Sequence, residues 1–476
     1  MLISSVTNLP RTSWRGCKGQ IPRVGTPMSP TEFSVNGRSY AFSDAPVVVI
    51  CIDGSEPAYH QEAIAAGRMP WLKEVLRSTG TSWAAHCAVP TLTNPNNMSI
   101  ATGHPPAVHG ICGNYILDPE SGEEVLMNDP KFLRAPTIFA AAAAAGLSVA
   151  VVTAKDKLSR LLAAGLTQPG LDPAGSGSMV EPANKGICFS AEKAHQVTKE
   201  SNGIDAVMEL VDMDLQDVYS AGLSEFVLAA GVRILQNQSP DLMYLTLTDY
   251  IQHKNAPGTD AANDFYAMID RYAAALDELG AIVVITADHG MSPKHKSDGT
   301  PRVIYLEEEV NAVLGLAGDV SDGGSRVILP ITDPYTVHHG ALGSFANVYL
   351  PEGADREAVL SILEAREGIS GVYRSEEAAE LFAMPLDRMG DLTVLSDKNT
   401  ALGRYAAWHD LGNLEVPLRS HGGLGELNIP FIINRVLPAP AETVSKAPNG
   451  DEAVVHNYDA FWVATTHASV NLVGIS

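Results

Sequence analysis

Cysteine and long apolar stretches are both scarce in this chain of 476 residues, and each shortage excludes something. The five cysteines (Cys17, Cys51, Cys87, Cys112, Cys188) are odd in number and share no short paired spacing. That argues against a disulfide framework and leads us to expect a reducing, cytoplasmic setting. No run of about 18 or more apolar residues occurs, so no membrane span is expected. Positive charge is in deficit too: 32 Lys and Arg face 55 Asp and Glu, a formal net charge of −23. Such a balance disfavours nucleic acid and anionic membranes as partners. An anionic substrate would then need local positive charge, from bound metals and a few lysines. Neither an internal repeat nor a long low-complexity linker is present.

What is present is a large apolar fraction, 45% of residues, enough for a sizeable core and for two domains. Strand-like and helix-like segments alternate, which predicts an α/β fold: a three-layer α/β/α sandwich with a mainly parallel central sheet. Helices are expected over Pro70–Ser78 and over 137–145, with strands over 82–89 and 148–153. Pro95 suits a first helical position, with Thr93 or Asn94 as the cap before it. Residues 297–404 carry a β-α-β pattern of their own (347–350, 355–365, 371–373) and read as an inserted, smaller α+β cap domain. The catalytic core is then 45–296 together with 405–476. Residues 1–44 form an N-terminal extension, partly disordered. Its first 27 residues hold Arg11, Arg15, Lys18 and Arg23 but no acid, as a disordered segment or a start placed ahead of Met28 would.

Three apolar runs each end in an aspartate: Val47–Ile52 before Asp53, Leu242–Thr248 before Asp249, and Ala281–Ala287 before Asp288. His253 stands four residues beyond Asp249, and His289 directly follows Asp288. If these strands are parallel neighbours, their ends converge on one rim of the sheet, where open α/β folds place their sites. With the late His421, carboxylates and imidazoles in this number suit two divalent metals better than one. Thr93, at a helix start, is a candidate nucleophile activated by a metal; Thr91, two residues earlier, competes for that role. Asn114 could donate to a phosphoryl group, and Lys155 and Lys157 follow a strand end on the same rim. Taken singly, Asp53 is a turn or cap residue, Thr93 an N-cap, and the lysines solvated loop charges. The ordered set of strand ends favours ligation. His338 and His339, in the insert, read as structural or rim residues.

That order is familiar. Asp53, Thr93-Asn94-Pro95-Asn96, Asp249-x-x-x-His253, Asp288-His289-Gly290-Met291 and His421-Gly422 resemble the alkaline phosphatase superfamily, nearest its nucleotide pyrophosphatase/phosphodiesterase branch. The resemblance runs from about residue 45 to near the end of the chain. Within it, residues 49–57, 93–97 and 337–344 resemble the phosphonoacetate-cleaving members. This implies an alkaline phosphatase-like fold and two zinc ions, although ligand chemistry also admits manganese or iron. One ion would be held by Asp249, His253 and His421, the other by Asp53, Thr93, Asp288 and His289. The implied substrate is a small anionic phosphonate. Its carbon–phosphorus bond is hydrolysed to acetate and phosphate through a phosphothreonine at Thr93, with substrate contacts from Thr93, Asn114, Lys155, Lys157 and His421. Two rivals stand beside it: a phosphodiesterase or phosphomonoesterase of the same superfamily, and a metal-stabilised binding protein without catalysis. A binder has no need of Thr93. A homodimer is compatible with the sequence.

Overall fold

Val47–Cys51, Val149–Thr153, Leu242–Thr246 and Ile282–Thr286 are each buried along their whole length. That is what a parallel strand covered on both faces requires. The computed structural model describes residues 31–182, 186–316, 324–332, 342–409, 411–412, 414–440 and 454–468. The expectations placed on residues 1–27 and on His338 and His339 lie outside the described residues.

The main sheet has eight strands, in the order Gly186–Ser190, Val149–Thr153, Leu242–Thr246, Val47–Cys51, Ile282–Thr286, Asn428–Ile433, Thr81–His86 and Val455–His456. Neighbours pair parallel except around Asn428–Ile433, which runs antiparallel to both of its partners. Alternate residues of each strand enter opposite layers. Val47, Val49, Val151 and Tyr244 pack under the helices Thr93–Thr102 and Ile138–Ala144. Val48, Ile50, Val152 and Leu245 pack under Ala221–Gln238 and Asp260–Glu278. This two-residue period is the pleat of the strand, and it builds the expected α/β/α sandwich.

A separate four-stranded antiparallel sheet, in the order Arg326–Ile328, Phe345–Tyr349, Leu392–Ser396 and Ile369–Arg374, lies within residues 297–404. Its apolar cluster reaches back to Leu92, next to Thr93. Residues 31–42, assigned from sequence to the extension, form an antiparallel hairpin. Its Phe33, Val35, Tyr40 and Phe42 join one of the two core clusters.

Several element boundaries move, two of them beside the site. The 82–89 strand is Thr81–His86, and the helix expected from Pro95 begins at Thr93, with Leu92 in the cap position. Proline fits there because the first turn's N–H groups have no intrahelical acceptor, so its missing donor costs nothing. Among the described residues four cysteines are free and buried, and no helix is long and apolar enough to cross a membrane.

Candidate metal centre

Register sets the site. Thr153 pairs with Thr246, Thr246 with Cys51, and Cys51 with Thr286, so four neighbouring strands end in one row. Two or three residues past that row stand Lys155, Asp249, Asp53 and Asp288. Strands lie about 4.8 Å apart, so these side chains crowd onto one short rim. Gly54, at φ +71°, turns the chain away directly after Asp53; a Cβ there would lie 3.2 Å from the Cβ atoms of Asp249 and Gln252.

The aspartates and histidines form two buried groups, Asp249–His253–His421 and Asp53–Asp288–His289. Within each, the ligand atoms lie within 4.8 Å of one another. Asp249 precedes the short helix Tyr250–Lys254, which brings His253 one turn above it. All three imidazoles are oriented the same way. Nδ1 of His253 meets the Arg419 carbonyl at 3.0 Å, Nδ1 of His289 the Gly290 carbonyl at 2.9 Å, and Nδ1 of His421 the Thr91 carbonyl at 2.8 Å. A carbonyl only accepts, so each Nδ1 carries the proton and each Nε2 presents its lone pair, the atom that ligates a metal.

Two of those Nε2 atoms point at carboxylates: His253 at Asp249 Oδ2 (3.0 Å) and His289 at Asp53 Oδ1 (3.2 Å), an oxygen without a hydrogen-bond donor. Lone pair facing lone pair requires a cation or a second proton between them. Burial opposes a charge on His289, yet the carboxylates of Asp288 and Asp53 push its pKa up to about 9. Burial and the neighbouring Asp53 carboxylate push Asp288 up to about 8. Burial works against the Asp249 carboxylate as well, but the Lys155 ammonium and His253 hold it well below the usual carboxylate range. Lys155 Nζ bridges the two groups, 2.9 Å from Asp53 and 2.7 Å from Asp249. The donor set thus fits two divalent cations, and two candidate metal-binding groups are in place.

Thr93 opens its helix with its hydroxyl 3.4 Å from His289 Nε2. Thr91, its rival, is committed elsewhere. Its hydroxyl donates to the Gly423 carbonyl and accepts from Gly422 N–H, and its own carbonyl fixes His421. Asn114 lies beside the helix start, where its Oδ1 accepts the Asn94 N–H at 2.9 Å, leaving Nδ2 for another acceptor. Asn94's amide is therefore taken and Pro95 has none, so among the first three residues of the helix only Thr93's own N–H remains for an anion. Lys157 is exposed in the first turn of Asp156–Ala163.

One central residue escaped the sequence reasoning. Asn97 is fully buried and uses all four of its hydrogen-bonding positions. Its Nδ2 donates to Asp288 Oδ2 (3.0 Å) and the Thr93 carbonyl (2.9 Å), and its Oδ1 accepts from the Tyr244 and Thr246 hydroxyls. It ties the candidate nucleophile's helix to a metal-ligand aspartate and to the sheet. The signal lay in the motif Thr93-Asn94-Pro95-Asn96-Asn97 itself, whose last member has no reason to be polar in a buried helix unless it holds something.

The family model for type I phosphodiesterase/nucleotide pyrophosphatase matches residues 47–424. Phosphonoacetate hydrolase from Sinorhizobium meliloti 1021, solved in complex with phosphonoformate, is 52% identical, with 93% of this chain and 100% of that chain covered and a TM-score of 0.82. The same enzyme in complex with phosphonoacetate aligns at 51% identity with the same coverage and TM-score. Murine ectonucleotide pyrophosphatase/phosphodiesterase 5 aligns at 17% identity over 87% of this chain and 93% of that chain, with a TM-score of 0.54, a likeness of fold.

Proposed function

Since the chain belongs to the type I phosphodiesterase/nucleotide pyrophosphatase family, we propose that it is a metal-dependent phosphonoacetate hydrolase, converting phosphonoacetate to acetate and phosphate. The observation that carries this is the pair of buried ligand groups with a threonine hydroxyl beside one of them, in a chain 52% identical to an enzyme of that activity. Asp249, His253 and His421 would hold one cation and Asp53, Thr93, Asp288 and His289 the other, zinc being our choice. Two such ions supply Lewis-acid charge that favours the alkoxide form of a threonine and neutralises phosphoryl oxygens.

Thr93 Oγ1 attacks phosphorus in line. The phosphorus–carbon bond breaks with its electron pair on the methylene carbon, which takes a proton to give acetate, and the phosphoryl group stays on Thr93. Water then cleaves the phosphothreonine to phosphate and restores the hydroxyl. Asn114 Nδ2 and the Thr93 N–H donate to the phosphoryl oxygens. A carbanion adjacent to a carboxylate delocalises into it, and that charge needs a cationic neighbour. Lys155, already at the rim between the groups, and Lys157, two residues further on, are the side chains for it, with residues 297–404 acting as a cap over the substrate end.

Release of acetate and phosphate from phosphonoacetate by the metal-loaded protein, abolished by chelator, is the expected result. No release from fully loaded protein would overturn the assignment. Much faster release of nitrophenol from a bis-nitrophenyl phosphodiester would replace it with a phosphodiesterase. Lys155→Ala should lower turnover of phosphonoacetate more than that of an aryl phosphate, whose leaving group needs no help; equal losses would remove Lys155 from leaving-group stabilisation.

A further inference from the structure

Lys294 and Glu426 form an ion pair at 2.9 Å with both side chains at 0% exposure. Such a pair is a poor source of stability, because removing two charges from water costs several kcal/mol per ion and apolar side chains of similar volume do as well or better. Its location suggests another use. The segments after His289 and before His421 pair as short strands, Ser292 with Ser420 and Pro293 with Arg419. Lys294 and Glu426 close the next layer. Glu426 accepts Gly290 N–H on its carbonyl (2.8 Å), Gly423 N–H on Oε2 (3.1 Å) and Lys294 Nζ on Oε1, while Lys294 Nζ also reaches the Lys398 carbonyl (2.8 Å). Gly290 directly follows His289, and Gly423 is two residues beyond His421. The two imidazoles, one from each ligand group, stack with ring centroids 3.6 Å apart.

We propose that the Lys294–Glu426 pair is a positioning device that sets the spacing between the two metal groups by joining the loops of His289 and His421. This rests on the metal assignment made above. Lys294→Met or Glu426→Gln alone would strand a buried charge and endanger folding. The test is therefore the neutral double variant K294M/E426Q, with Glu426→Asp as a second variant that keeps the charge but shortens the arm.

The readouts are the thermal midpoint of the metal-free protein, titration of zinc into it, and the spin coupling of the manganese-loaded form, which reports ion–ion distance. Expected are a metal-free midpoint close to that of the wild type, a 10–100-fold loss of affinity for at least one ion, and altered coupling. A folded variant with unchanged zinc affinity and unchanged coupling would overturn the proposal while leaving the metal assignment intact. A wild-type protein that takes up no ions would remove that assignment first, and the pair's role with it.

Discussion

At the scale of single residues, Thr93 and Asn97 stand one helical turn apart and do different work. Thr93→Ala should lower phosphonoacetate turnover by roughly three orders of magnitude or more, as loss of a covalent nucleophile does, with Thr93→Ser retaining part of it. Turnover by the alanine variant within tenfold of wild type would exclude Thr93 as nucleophile. Asn97→Ala removes no reacting atom but leaves Tyr244, Thr246 and Asp288 short of a partner in a buried site. A stability loss of about 2–4 kcal/mol in urea unfolding is expected. His109 supplies a pH dependence. Its Nδ1 accepts Ile111 N–H and its Nε2 meets Ser99 Oγ, so the fold holds it neutral; burial, then His104 and Arg388, push it down to about 3. The unfolded chain titrates near 6.5, so below that pH it binds the extra proton and the fold does not. Stability should fall from about pH 6.5 towards 3, and His109→Gln should flatten that slope in pH-dependent melting curves. The strand-end aspartates were legible in the sequence because each follows a long apolar run. Asn97, Lys294 and Glu426 were not, because a buried polar residue and a surface one look alike until tertiary partners are known.

At the scale of elements, the sheet register carries the ligands, and loop-to-loop bonds refine them. The sequence located the strands that carry the aspartates but not the strand Gly186–Ser190 or the helices Ala221–Gln238 and Asp260–Glu278, and it could not say that Thr91 would be taken up by the His421 loop and so leave Thr93 as the candidate. Nor could it place Arg404. That guanidinium contacts Glu307 (2.7 Å) and both oxygens of Glu124 (3.2 Å). Glu124 belongs to the small sheet Tyr115–Leu117/Glu124–Leu126, and Asn114, next in line, donates its N–H to the Pro330 carbonyl at 2.8 Å. The Arg404–Glu124 pair and the Asn114–Pro330 hydrogen bond thus both fasten the Asn114 loop to residues of the 297–404 insert. Arg404→Ala should raise KM for phosphonoacetate by roughly tenfold, about 1.4 kcal/mol, with zinc affinity unchanged. An unaltered KM would show that the loop keeps its place without this contact.

At the scale of the whole molecule, one ligand group joins residue 53 to residue 289 and the other residue 249 to residue 421, so two bound ions together close contacts across most of the chain. A ligand that binds only the folded form raises stability, by about 2.7 kcal/mol per site at a concentration 100-fold above its Kd. Chelation should therefore lower the thermal midpoint measurably. Identical midpoints with and without chelator would contradict metal binding at the two groups. The fold class was legible because strands and helices alternate. The strand order was not, since antiparallel Asn428–Ile433 enters between Ile282–Thr286 and Thr81–His86 from far along the chain.

That late insertion bears on synthesis. Thr81–His86 leaves the ribosome early, yet both of its neighbours in the main sheet emerge only after residue 427. At roughly 5–20 residues per second the wait is on the order of half a minute. Throughout it Thr81–His86 has neither of its sheet partners, and unpaired strand N–H and C=O groups are what other strands recruit, so the strand order leaves this segment open to mispairing until Asn428–Ile433 arrives.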